Sequence, residues 1–265
     1  MSSTVSWDDL RTRIVSSAII IVLGLTTIMT GGVYFCILVA TVCGLMIWEL
    51  IRILNPDQTR SAILLAVLTG TFLICASHWE SPYSPFFLGI PVIIGCILLT
   101  HYRIFFLFFA AVFLTAGFEL ILVRDSLGPF VILWMVAVVI TTDVAGYFVG
   151  RLVGGPKLWP RISPHKTWSG TSAGWIASTL AGLAFAPSVN IEVNLIICLS
   201  VLLSLSAQLG DLTESALKRK MNIKDSGTFI PGHGGLLDRF DSLLGTSIMF
   251  LFLNEIIGVS EGLSI

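Results

Sequence analysis

The chain has 265 residues, of which 55% are hydrophobic and only 12% charged, and its mean hydropathy is +0.93. An ordinary soluble domain carries about 25% charged residues, so this composition excludes one and points to a polytopic, all-α membrane protein. The formal net charge of −1 offers no basic surplus for a phosphate backbone, and nucleic-acid binding is not expected. The five cysteines, Cys36, Cys43, Cys75, Cys96 and Cys198, stand in apolar runs without C-x-x-C pairs or adjacent histidines. That pattern argues against a disulfide framework or a zinc site.

Trp7, Asp8 and Asp9 suggest a short interfacial helix. Arg11 and Arg13 then precede an apolar run from Ile14 to Met29 with no A-x-A-like cleavage site after it, which reads as an uncleaved first span. A spanning helix needs about 20 mainly apolar residues. The polar breaks place nine such spans, at about 14–30, 33–51, 61–77, 86–100, 104–123, 129–150, 170–187, 191–210 and 242–259. Only His101, Tyr102 and Arg103 separate the fourth from the fifth, so a tight turn and a re-entrant segment both fit. With the N-terminus cytoplasmic, nine spans put 14 of the 15 Lys and Arg residues on the cytoplasmic side, Arg124 being the exception. This is the asymmetry that the positive-inside rule expects.

The chain divides by content. Residues 1–127 form an N-terminal membrane region whose spans hold few charges, with Glu49 and Glu119 near helix ends. Residues 128–265 form a second region, expected to be catalytic, with cytoplasmic loops at 151–169 and 211–241. In the sixth span Asp143, Tyr147 and Arg151 share one helical face. An acid this close to the membrane is a functional candidate by default, and a structural pair with Arg151 or another base is the alternative. The following loop presents Lys157, Arg161, His165 and Lys166 among prolines and glycines. It suits either an anion site or a plain positive-inside loop beside anionic lipid.

At the end of the eighth span Asp211, Glu214, Ser215 and Lys218 share a face, and Asp238 and Asp241 recur three apart at the start of the ninth. Hard oxygen ligands at this density suit Mg²⁺, which takes one or two carboxylates together with substrate phosphates. A salt-bridge network with Lys218, Arg219 and Arg239 is the competing reading. Between these acids, P-G-H-G-G around His233, Gly234 and Gly235 can form a turn whose N–H groups converge on an anion. His233 would then donate to a phosphate, or it is simply a surface residue.

Ser215 to Asp241 reads S-A-L-K-R-K-M-N-I-K-D-S-G-T-F-I-P-G-H-G-G-L-L-D-R-F-D. This segment resembles, at every specified position, the signature of phosphatidate cytidylyltransferases (CDP-diacylglycerol synthases). The stretches D-V-A-G-Y-F-V-G-R from Asp143 and S-P-H-K-T-W-S-G from Ser163 resemble the same family, so the likeness spans about residues 140–245. His165 and Ser169 depart from the commonest pattern, where a lysine and a glutamate are usual.

The resemblance implies that a phosphate oxygen of phosphatidic acid attacks the α-phosphorus of CTP and pyrophosphate leaves. It implies Mg²⁺ held by Asp211 and Asp238, assisted by Asp143 and Asp241, with a second, monovalent cation as a further expectation. Lys218, Arg219, Lys224, Ser215, Arg239, Gly234 and Gly235 would surround the triphosphate, with His233 near it, and Lys166 and Arg161 would receive the lipid phosphate. It further implies a homodimer in a bacterial cytoplasmic membrane, with the site facing the cytoplasm. Two other readings compete. A CTP-dependent lipid-alcohol kinase would transfer the γ-phosphoryl to a hydroxyl, which the completeness of the signature argues against. A secondary transporter with Asp143 and Asp211 as coupling acids would place charges near the midplane of two symmetric halves, whereas these charges crowd one end of the spans.

Overall fold

The computed structural model describes residues 7–189, 191–227, 229–232 and 234–258. Long apolar runs can satisfy their backbone groups in a membrane only internally, which dictates helices. The helices are α1 (Trp7–Thr30), α2 (Gly32–Leu54), α3 (Thr59–His78), α4 (Gly89–Leu98), α5 (Arg103–Leu127), α6 (Pro129–Leu152), α7 (Trp168–Val189), α8 (Val193–Lys220) and α9 (Leu237–Ile257). Among the described residues, seven are long and apolar enough to cross a membrane: α1 to α3 and α5 to α8. The expectation of a helical polytopic chain is met at this level.

The 86–100 segment is shorter than a full span. A tight helical turn at Ser84–Leu88 runs into α4, giving Ser84–Leu98 in all. Five residues rising about 2.0 Å each and ten rising about 1.5 Å each span only about 25 Å, against a hydrocarbon core of about 30 Å. The backbone then turns at Tyr102, where φ is +54°. Asn55 fixes that turn, accepting from His101 N–H (3.0 Å) and donating to the His101 carbonyl (3.1 Å).

The chain packs as two compact units, residues 1–111 with 223–239, and residues 112–222 with 240–265. The boundary falls inside α5 and inside α9. In the first unit α2 carries the core, with Met46, Ile47, Leu50 and Ile51 all essentially inaccessible. Gly44 allows α2 to approach α3: a Cβ there would lie 2.8 Å from the Ala66 carbonyl oxygen. Most of α1 is different, with Ile14, Ile19, Ile21 and Val22 exposed, as a lipid-facing helix requires.

In the second unit small residues set the seams. A Cβ at Gly170 of α7 would lie 2.5 Å from the Gly146 carbonyl oxygen of α6, and one at Gly245 of α9 would lie 2.3 Å from that of Ser206 of α8. Gly146 and Gly150, like Gly170 and Gly174, are four apart, the spacing that lets membrane helices pack backbone to backbone. Buried hydroxyls add specificity, with Thr142 bonded to Ser204 (2.7 Å) and Trp134 Nε1 donating to Ser200 (3.0 Å).

The loop after α6 is an antiparallel hairpin, β1 (Lys157–Trp159) and β2 (Ser163–Thr167), with Lys157 opposite Thr167 and Trp159 opposite Ser163. Thr167 ends it and caps α7, its Oγ1 accepting the Gly170 N–H (3.2 Å).

Candidate active site

The close α8–α9 seam has a chemical consequence. A Cβ at Gly210 would lie 2.3 Å from the Asp241 carbonyl oxygen, so the backbones bring Asp211 and Asp241 into one neighbourhood. Asp241 feels Asp211 and Asp143 as like charges and Lys218 as the opposing one. Asp143 likewise faces Asp211 and Lys166. Lys166, carried in from β2, forms an ion pair with Asp211. Ser215, one turn along α8, donates to Asp211 Oδ1 (3.2 Å), and Lys218 pairs with buried Glu214 (2.5 Å).

Asp143, Asp211 and Asp241 therefore share a neighbourhood with Lys166 and Lys218 in the second unit. Carboxylates crowded together near a membrane are expensive unless paired or neutralised, and protons or a divalent cation would lower that cost. The donor set is carboxylate oxygen, which fits Mg²⁺ in chemical type. Among the described residues no three His, Cys, Asp or Glu side chains form a metal-binding group by themselves, so the remaining ligands of such a cation would be substrate oxygens or water.

Arg151 donates to the Tyr147 hydroxyl (2.8 Å), whereas the charged neighbours of Asp143 are Asp211 and Lys166. Arg219 donates through Nε to the Ile162 carbonyl (3.3 Å), tying the end of α8 to the hairpin turn. Lys157, Arg161 and His165 are exposed on that hairpin, and Lys166 is half-buried.

The rest of the signature lies in the first unit and is built differently. The segment from Ser226 to Leu237 folds around two carboxylates. Asp238 Oδ2 accepts from Ser226 N–H (2.9 Å), Ser226 Oγ (2.9 Å) and Gly235 N–H (3.1 Å). Glu49 of α2, only 1% exposed, accepts from Leu236 N–H at Oε1 and from Leu237 N–H at Oε2, both at 2.9 Å. Gly232 and Gly234 adopt φ of +76° and +89°, the turn conformation that glycine permits. An Ile230–Gly234 bridge closes the turn. Lys224 and Arg239 are exposed, and His233 lies outside the described residues. The N–H groups of Gly235, Leu236 and Leu237 are thus taken by the protein's own carboxylates. Glu49 was visible in the sequence as an acid in an apolar span, the signal that marks a residue for attention.

A helical membrane protein that concentrates carboxylates and lysines at the ends of α6, α8 and α9 belongs to the class that handles charged phosphates beside a bilayer. Comparison with known proteins agrees and is more specific. The model of the cytidylyltransferase family matches residues 11–257, and the chain belongs to that family. It is similar to the phosphatidate cytidylyltransferase of Brucella suis biovar 1 (strain 1330), at 35% identity over 92% of this chain and 93% of that one. The enzyme of the same name from Bacillus subtilis (strain 168) is 32% identical over 92% of this chain and 97% of its own length. That from Rickettsia bellii (strain RML369-C) is 36% identical over 76% and 94%.

Proposed function

We propose that this chain transfers the cytidylyl group of CTP to phosphatidic acid, giving CDP-diacylglycerol and pyrophosphate for phospholipid synthesis. The observation that carries this reading is the cluster of Asp143, Asp211 and Asp241 with Lys166 and Lys218, in a chain of which only 12% is charged. A phosphate oxygen of the lipid forms a bond to the α-phosphorus of CTP as the bond to the pyrophosphate oxygen breaks. Displacement at phosphorus is promoted chiefly by positioning and charge neutralisation. No general base is needed, because a phosphomonoester with a second pKa of about 6 is already mostly dianionic at neutral pH.

Asp211 would hold Mg²⁺ with Asp143 and Asp241 beside it, and Asp238 retains the metal-holding role that the signature implies. When bound, the cation neutralises charge developing on the transferred and leaving phosphates. The signature, rather than their placement, assigns Ser215, Lys218, Arg219, Lys224, Gly234, Gly235 and Arg239 to the triphosphate. Lys166, which pairs with Asp211, and Arg161 on the exposed hairpin turn would receive the lipid phosphate. We further propose nine spans, with the short Ser84–Leu98 segment crossing by local thinning of the bilayer, a cytoplasmic N-terminus, the site facing the cytoplasm of a bacterial inner membrane, and a homodimer.

The test is pyrophosphate release by detergent-purified protein given Mg²⁺, CTP and phosphatidic acid, run also with a lipid alcohol in place of phosphatidic acid. Release that requires phosphatidic acid is the expected result. CDP formation from the alcohol would instead establish the kinase reaction.

A further inference from the structure

We infer that Glu49 is a positioning residue for the reaction, the internal anion around which the glycine-rich segment is folded. Its carboxylate takes the N–H groups of Leu236 and Leu237 (2.9 Å each) and is 3.4 Å from the donating Ser226 hydroxyl. Leu237 opens α9, so Glu49 satisfies N–H groups at a helix start that have no intrahelical partner, and it lies where the helix dipole favours negative charge. The glycines fit this assignment. A Cβ at Gly227 would lie 2.9 Å from Glu49 Oε1. One at Gly235 would lie within 2.9 Å of both Glu49 oxygens and would collide with Ser226 Oγ. Two of the segment's glycines are therefore there to let backbone close on a carboxylate supplied from α2.

Ser226 joins the two acids. Its hydroxyl lies 2.9 Å from Asp238 Oδ2 and 3.4 Å from Glu49 Oε2, and it is itself buried. The adjoining turn has two further tethers: Ser16 of α1 donates to the Pro231 carbonyl (3.2 Å), and Trp48 of α2 meets Phe229 edge-on at a centroid distance of 6.5 Å. The N-terminal helices thus shape the signature segment without contributing a residue to it. This inference rests on the proposal that the segment from Lys224 to Arg239 surrounds the CTP triphosphate.

In Glu49→Gln an amide N–H₂ would face groups that are themselves donors, which leaves buried polar groups unpaired. Hydrogen exchange in detergent should then speed up in peptides covering 223–238 and stay unchanged in those covering α3. The KM for CTP should rise roughly 10- to 100-fold while that for phosphatidic acid holds within about twofold. Ser226→Ala is the milder second variant, expected to act in the same direction, and its effect should add less than independently to that of Glu49→Gln. Unchanged exchange in 223–238, or equal loss for both substrates, would overturn the role of Glu49. Lys224→Ala separates the two ideas. A CTP KM moved by Lys224→Ala and not by Glu49→Gln removes Glu49 alone, whereas one moved by neither removes the assignment of the segment to CTP and the inference with it.

Discussion

The two acidic clusters of this protein are built on opposite plans. Around Glu49 and Asp238 the carboxylate oxygens accept from backbone N–H groups and a buried hydroxyl. Around Asp143, Asp211 and Asp241 the balancing groups are the side chains of Lys166 and Lys218. Backbone donors are fixed in place, so the first arrangement confers shape. Lysine ammoniums swing on flexible stems, so the second can exchange partners when a cation or a phosphate arrives. Acids of one chain thus divide between those fixed by backbone donors and those balanced by lysine side chains.

The strongest challenge to this division is to neutralise each side in turn. Asp211→Asn should lower turnover about 1,000-fold, several kcal/mol of transition-state stabilisation, with little change in thermal unfolding in detergent. Removing divalent cations with EDTA should abolish pyrophosphate release by the wild type, and Mg²⁺ should restore it. Asp238→Asn should differ by costing stability as well as activity. The amide keeps one accepting oxygen, weaker than a carboxylate's, for the three donors at Oδ2 and puts a donating NH₂ where the other carboxylate oxygen stood, at about 1–3 kcal/mol for buried groups left unpaired. Equal thermal stability for the two variants, measured by the same unfolding assay, would erase the distinction.

The second cluster was largely legible in the sequence, because α-helical spacing alone puts Asp211, Ser215 and Lys218 on one face. What spacing does not convey is which base comes from elsewhere. Lys166 reaches Asp211 from a hairpin strand 45 residues away in the chain, and no periodicity connects them. The partners of Glu49 were not legible for a related reason. They are backbone N–H groups nearly 190 residues later, and a backbone donor carries no mark in the amino-acid sequence. The helices themselves followed from hydropathy, but two expected spans are not among the seven long, apolar ones: the 86–100 segment, whose first part is wound more tightly and which stops at Leu98, and the 242–259 segment, which lies in α9.

The glycine seams give a smaller effect that is independent of charge. Gly170→Ala would put a methyl group 2.5 Å from the Gly146 carbonyl and 3.2 Å from Gly150 Cα. Both obstacles are backbone and cannot swing away, so α6 and α7 must separate. The cost is that of overpacking, about 1–3 kcal/mol, and should appear as a lower unfolding temperature in detergent. Because α6 carries Asp143 and β2 runs directly into α7, activity should fall along with stability. This contrasts with Asp211→Asn, in which only activity falls.

The smallest effects separate neighbours on β2. Successive side chains of a strand point to opposite faces, and here Lys166 pairs with Asp211 while His165 is exposed. Lys166→Ala leaves a half-buried carboxylate among like charges and should cost about tenfold in turnover, the equivalent of 1.4 kcal/mol. His165→Ala removes a side chain in solvent and should change turnover by no more than about twofold, as surface substitutions generally do. His165→Lys, which installs the residue usual in the related pattern, belongs with it if the exposed side of the hairpin takes no part in the reaction. A gain well beyond twofold in that variant, read as a lower KM for phosphatidic acid, would show that position 165 faces the lipid phosphate and would extend the ligand-handling half of the comparison to the outer side of the strand.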